Sequence, residues 1–96
     1  MTTLEAVKLA LRITTDAFDA ELRLLIAAAL KDLKIAGANG SNIVETDDLT
    51  RLAIITFCKM RFGEPDEYDR LKRSYDEQKA QLSTATGYTK WSREDD

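Results

Sequence analysis

The chain is 96 residues long, 44% hydrophobic and 32% charged, with a formal net charge of −3, one cysteine and no histidine. That length holds one domain rather than two, and a domain this small buries only about two-thirds of its unfolded surface, so it gains readily from oligomerisation. One cysteine cannot close an intramolecular disulfide or, without histidine, build a zinc site, and a weak acidic balance argues against a stand-alone nucleic-acid binder. The excess charge is uneven: residues 1–63 hold eight acids and eight bases, residues 64–96 nine acids and six bases. The N-terminus, MTTLEAVKLALR, has neither the positive start nor the cleavage site of a signal peptide, and the apolar run 24–30 is far short of a membrane span. These features predict a protein made and kept in a reducing cytoplasm.

Thr2 and Glu5 have the spacing of a capping box, in which a hydroxyl and a carboxylate each satisfy a free backbone N–H. Leu4, Val7, Ala10 and Leu11 then share one face and predict a first helix over 3–12. Ile13-Thr14-Thr15-Asp16 breaks the pattern and predicts a turn. A second helix, 17–36, takes Asp16 or Asp19 as its cap. Phe18, Leu22, Leu25, Ile26, Ala29 and Leu33 form its inward stripe. Leu24, Ala27, Ala28 and Leu30 widen that stripe beyond one bundle face. Either the small alanines pack closely against the third helix, or the extra width is a second face turned toward a neighbouring subunit.

Gly37 ends the second helix and opens GANGSN, which lacks the preceding strand and following Lys-Ser/Thr of a phosphate loop. Ile43-Val44 either docks on the domain or makes a short extended contact. The third helix, 47–62, takes Thr46 as cap, with Asp47 and Asp48 complementing the helix dipole in the first turn. With no histidine or partner base nearby, these acids read as capping groups rather than acid–base machinery. From Leu49 to Met60 this helix is apolar on nearly every side, the mark of a helix covered by its neighbours. The rest of the chain is organised around it, and Cys58 within it reads as a small buried hydrophobe.

Gly63 ends that helix, and Pro65 opens a fourth, 65–83, with Glu64, Asp66 and Glu67 at its N-terminus. Tyr68, Leu71, Tyr75, Gln78 and Leu82 recur at spacings of three, four, three and four, a narrow seam on an otherwise charged helix. At about 1.5 Å per residue such a helix runs on the order of 27 Å. It is either a fourth bundle member or an arm reaching another subunit. Residues 84–96 carry no helical stripe and predict a flexible tail. Yet they hold Tyr88 and Trp91 beside Lys90 and Arg93, either anchors for a partner surface or aromatics folded back on the domain.

The succession of these pieces resembles a known family. LEAVKLALRI, an acidic turn, DAELRLLIAAALKDL, a Gly/Asn loop, a buried helix running into RFGEPDEYDRL, and a final amphipathic helix ending in QKAQL look like the small head–tail connector proteins of tailed phages and prophages. These are also called adaptor, head-completion or DNA-packaging proteins. The likeness spans roughly residues 3–83 and does not extend over 87–96. It implies an all-α subunit that assembles into a ring, commonly a dodecamer, beneath the portal, extending the DNA channel toward a tail-side connector. It also implies a virion location after synthesis in the host bacterial cytoplasm, with no enzymatic activity, cofactor or metal.

The expectation is thus an all-α bundle of about four helices over residues 3–83 with an irregular tail over 84–96. Leu24, Ala28, Tyr68, Tyr75, Tyr88, Lys90 and Trp91 are its candidate subunit or portal contacts. The alternative is a small helical DNA-binding regulator or antitoxin-like module, since the turn at 13–16 resembles a helix-turn-helix. Its recognition helix would begin DAFDAELRLL, three acids and one base, the wrong charge for approaching phosphates.

Overall fold

Thr2 carries out the capping box expected of it: its Oγ1 accepts from Glu5 N–H at 3.1 Å, while Glu5 Oε1 accepts from Thr2 N–H at 2.7 Å. The helix it starts is the first of four in a computed structural model that describes residues 1–36, 43–63 and 66–84. They are α1 (Thr3–Leu11), α2 (Asp19–Ala36), α3 (Asp48–Arg61) and α4 (Tyr68–Thr84), with no strand among the described residues. The all-α class and the helix order expected from the sequence hold. The GANGSN loop, Pro65 and the tail beyond residue 84 lie outside the described residues.

Three helix starts differ from the sequence reading. Helix α2 opens at Asp19, with the carbonyl of Phe18 accepting its first bond from Leu22 N–H at 2.9 Å. The carboxylates of Asp16 and Asp19, expected as caps, instead lie 3.0 and 2.8 Å from Lys8 Nζ. That pairing ties the end of α1 to the start of α2, and the hydrogen bonds to Asp19 and Asp16 raise the Lys8 pKa. Helix α3 is capped by Asp47 rather than Thr46. Asp47 Oδ2 accepts from Thr50 N–H and from Thr50 Oγ1, each at 2.9 Å. At that cap Thr50 is fully buried and returns a second bond through its hydroxyl. Helix α4 begins at Tyr68, with Glu67 O accepting from Leu71 N–H at 2.9 Å.

The ends are equally local. Arg12, the C-cap of α1, takes the left-handed conformation at φ 62° and closes the helix through bonds to Lys8 O and Leu9 O. Past the C-cap of α3, Gly63 sits at φ 71°, where a residue without Cβ carries little strain.

Both α2 and α3 pack against every other helix, whereas α1 and α4 do not meet. The core is drawn chiefly from α2 (Leu22, Ile26, Ala29, Leu33) and α3 (Ala53, Ile54, Phe57, Cys58, Met60), with Val7, Ile43, Tyr75 and Leu82 closing it. Ile43 is fully buried, so the segment after the loop docks on the domain. Cys58 is also fully buried, and burial pushes its thiol up to about 12, as expected of a residue that packs rather than reacts. The seam on α4 is as narrow as its spacing foretold: Tyr75 and Leu82 are buried, Leu71 and Gln78 half-buried, and the rest mostly exposed. Helix α3 is central, but its covering is incomplete. Leu49 and Leu52, expected under neighbours, remain open to solvent because α1 and α4 stand apart on that side.

Candidate assembly surfaces

The apolar width of α2 resolves into two faces. Leu22, Ile26, Ala29 and Leu33 are buried, while Leu24 is 73% exposed, Ile35 is 71% exposed, and Ala20, Ala27 and Ala28 are exposed between them. The spacing of 20, 24, 27, 28, 31 and 35 puts these residues, with Lys31, on one outward stripe. The alanines are therefore not packed against α3, except Ala29, which belongs to the core. Arg23 and Lys34 flank the stripe, giving it a basic margin.

Beside this stripe, α2 and α4 run in the same direction along α3. Ala28, Tyr68 and Tyr75 line one cleft of about 310 Å³ between them, together with Asp32, Arg61, Lys72 and Lys79. Three of the seven residues singled out from the sequence thus come together, with Leu24 one turn earlier on α2. They do not play the same part. Ala28 and Tyr68 are open to solvent, whereas Tyr75 is only 3% exposed. Its ring meets Phe57 edge-on with centroids 5.3 Å apart, and its hydroxyl donates to Asp32 Oδ2 at 2.7 Å. Lys79 donates to the same oxygen at 3.1 Å, and its Nζ lies 5.2 Å from the Tyr75 ring centre. Tyr75 therefore locks α4 to α2 and α3 rather than offering surface. Tyr88, Lys90 and Trp91 lie outside the described residues.

The clamp has a defined electrostatic character. Burial acts to raise the Asp32 pKa, but hydrogen bonds from Tyr75 and Lys79 and the charge of Lys79 outweigh it, leaving the carboxyl below its ordinary value. Burial first, and Asp32 second, push the Tyr75 hydroxyl well above its usual range, so it stays a proton donor across all ordinary pH.

On the other side of α3 lies a second opening. Between α1 and α4 runs a groove of about 580 Å³ lined by Leu11, Phe62 and Leu71 and floored by Thr56 and Lys59. Leu52, 51% exposed, lies two turns before Lys59 on the same side of α3, and Leu49 and Val44 add exposed apolar surface at that helix's start. The sequence reading missed this patch because a helix apolar all round gives no signal of which side its partners leave bare. Ile35 was more legible: it stands seven residues beyond Ala28, on the line already drawn by Leu24 and Ala28.

Among the described residues, no three His, Cys, Asp or Glu side chains gather as metal ligands, and no helix is long and apolar enough to cross a membrane. What the chain displays is apolar surface on two sides of a subunit that has already built its own core. That is the pattern of a helical assembly subunit. Its sequence matches the family model described as phage connector protein over residues 3–89. The chain belongs to the phage connector protein family, a structural family of the virion whose members assemble with other virion proteins. The matched span takes in Tyr88 but not Lys90 or Trp91. No curated protein and no solved structure matches the chain.

Proposed function

We propose that the chain is a head–tail connector subunit that forms a ring beneath the portal and extends the DNA channel toward the tail. The observation that carries this reading is the outward stripe of α2. Membership in the connector family is compatible with many surfaces, but here Leu24, Ala27, Ala28 and Ile35 are left uncovered along one outward line of a folded subunit. Burying it against another copy recovers roughly 25 cal/mol for each Å² removed from water.

In this reading Leu24, Ala28 and Tyr68 supply contacts between subunits, and Tyr75 fixes the helix that presents Tyr68. Tyr88, Lys90 and Trp91, on the segment 84–96 that follows the helical domain, supply anchors for the portal or the tail-side connector. Genomic DNA passes through the lumen without sequence-specific binding. The charged outer face of α4, with Asp69, Asp76 and Glu77 among its bases, suits a wall along which a polyanion slides rather than sticks. A DNA-reading role would instead press Asp16, Asp19 and Glu21, at and before the start of α2, against phosphates.

The test is co-assembly. The purified chain is mixed with portal rings and sedimented, with limited proteolysis of residues 84–96 followed in parallel. Co-sedimentation with tail protection only in the presence of portal is the expected result. A chain that stays monomeric and never travels with the portal ring contradicts the proposal.

A further inference from the structure

Two of the exposed apolar surfaces, on α2 and at the start of α3, differ in shape and in charge, and the difference bears on how copies would meet. The stripe on α2 is a ridge. Leu24 and Ile35 stand at its ends, Ala27 and Ala28 permit close approach between them, and Lys31 and Lys34 make it basic. The start of α3 is the reverse: Leu49 and Leu52 are exposed beside Asp48, and residues 43–50 contain three acids and no base. Neither Lys31 nor Asp48 has an ion-pair partner among the described residues.

Both surfaces are free at once. The buried faces of α2 and α3 meet each other, so the ridge and the Leu52 side of α3 look out on opposite sides of that pair. A two-fold contact would set like against like, with Lys31 and Lys34 facing lysines or Asp48 facing Asp48, and would be opposed by charge. Contact between unlike faces removes both apolar areas from water and matches their charges.

We propose that neighbouring copies of this chain join head to tail, the α2 ridge of one docking on the Leu49–Leu52 start of α3 of the next. Each copy then keeps one free face of each kind, so the contact repeats and can close a ring. The inference rests on the reading of the chain as a self-assembling subunit, and adds which faces meet.

Two face-blocking variants test it, Leu24→Asp on the ridge and Leu52→Asp on α3, sized by native mass spectrometry and sedimentation. Both sites are exposed, so circular dichroism should show the wild-type fold. Each variant alone is expected to be monomeric where the wild type assembles, and an equimolar mixture is expected to give a dimer containing one of each. Such a dimer forms only if one copy's intact ridge meets the other's intact α3 face. A mixture that stays monomeric, or either variant still assembling alone, overturns the head-to-tail contact while leaving self-assembly standing. A wild type that is monomeric at every concentration overturns both. Should a leucine variant fail to fold, Lys31→Glu and Asp48→Lys replace the pair. Each is expected to raise the half-assembly concentration at least tenfold, and the doubly substituted chain to return toward wild type. A double variant weaker than either single one overturns the pairing.

Discussion

Helices α2 and α4 lie side by side on α3 and are nearly equal in length, 18 and 17 residues, yet they use the core in opposite ways. Among its described side chains, helix α4 buries Tyr75 and Leu82, half-buries Leu71 and Gln78, and exposes mostly charged groups. Helix α2 buries four side chains and still shows Leu24 and Ile35 to water. Amphipathic strength therefore does not rank a helix's importance to the fold. The charged helix attaches by one line that the subunit needs, whereas the apolar one has a face that the isolated subunit does not need.

The contrast is sharpest within α2 itself. Leu22→Ala, at a fully buried site, is expected to lower unfolding stability by about 2–5 kcal/mol in chemical denaturation. Leu24→Ala, two residues on, is expected to change it by less than about 0.5 kcal/mol. Similar losses at both sites would collapse the distinction between an inner and an outer face.

On α4, the attachment depends on a polar lock as well as packing. Tyr75→Phe removes the hydroxyl that donates to Asp32 and is expected to cost about 1–2 kcal/mol by the same measurement. The lock also titrates. Because the folded-state pKa of Asp32 is depressed, its contribution is fully present above the ordinary value of 3.8 and is lost as pH falls through the lower folded-state value. Denaturant midpoints measured between neutral pH and pH 2 should show this acid-side loss in the wild type and a smaller one in Asp32→Asn. Equal pH dependence in the two proteins would show that the carboxylate is not what holds α4 to α2. A more local effect lies at the junction before α4: Gly63→Ala, at φ 71°, should cost about 1 kcal/mol through backbone strain alone.

The sequence made the helices legible because their signals are local. A Thr2–Glu5 box, the seam from Leu71 through Tyr75 to Leu82, and Gly63 at a helix end each act within a few residues. The misplaced cap is a competition between neighbours: Thr46 and Asp47 both have capping side chains, and burial of Thr50 decides between them. Asp16 and Asp19 went to Lys8, eight and eleven residues earlier, a pairing that spacing alone does not reveal. The surfaces were half legible. Leu24 and Ala28 stood out because they exceed what one bundle face requires, Tyr68 because it opens the α4 seam, and all three are exposed. Tyr75 shares the seam of Tyr68 yet is buried, because Asp32 and Phe57 from two other helices receive it. Leu52 was hidden in a helix that looked covered everywhere, and only the separation of α1 from α4 exposes it.

The apolar excess of α2 is proposed to lie between subunits. Sedimentation velocity over a wide concentration range, comparing wild type with Leu24→Asp, tests it most directly. The wild type should pass from monomer to larger species as concentration rises, while Leu24→Asp remains a monomer with an unchanged melting temperature. A wild type that never associates, or a Leu24→Asp chain that associates equally well, would contradict the claim.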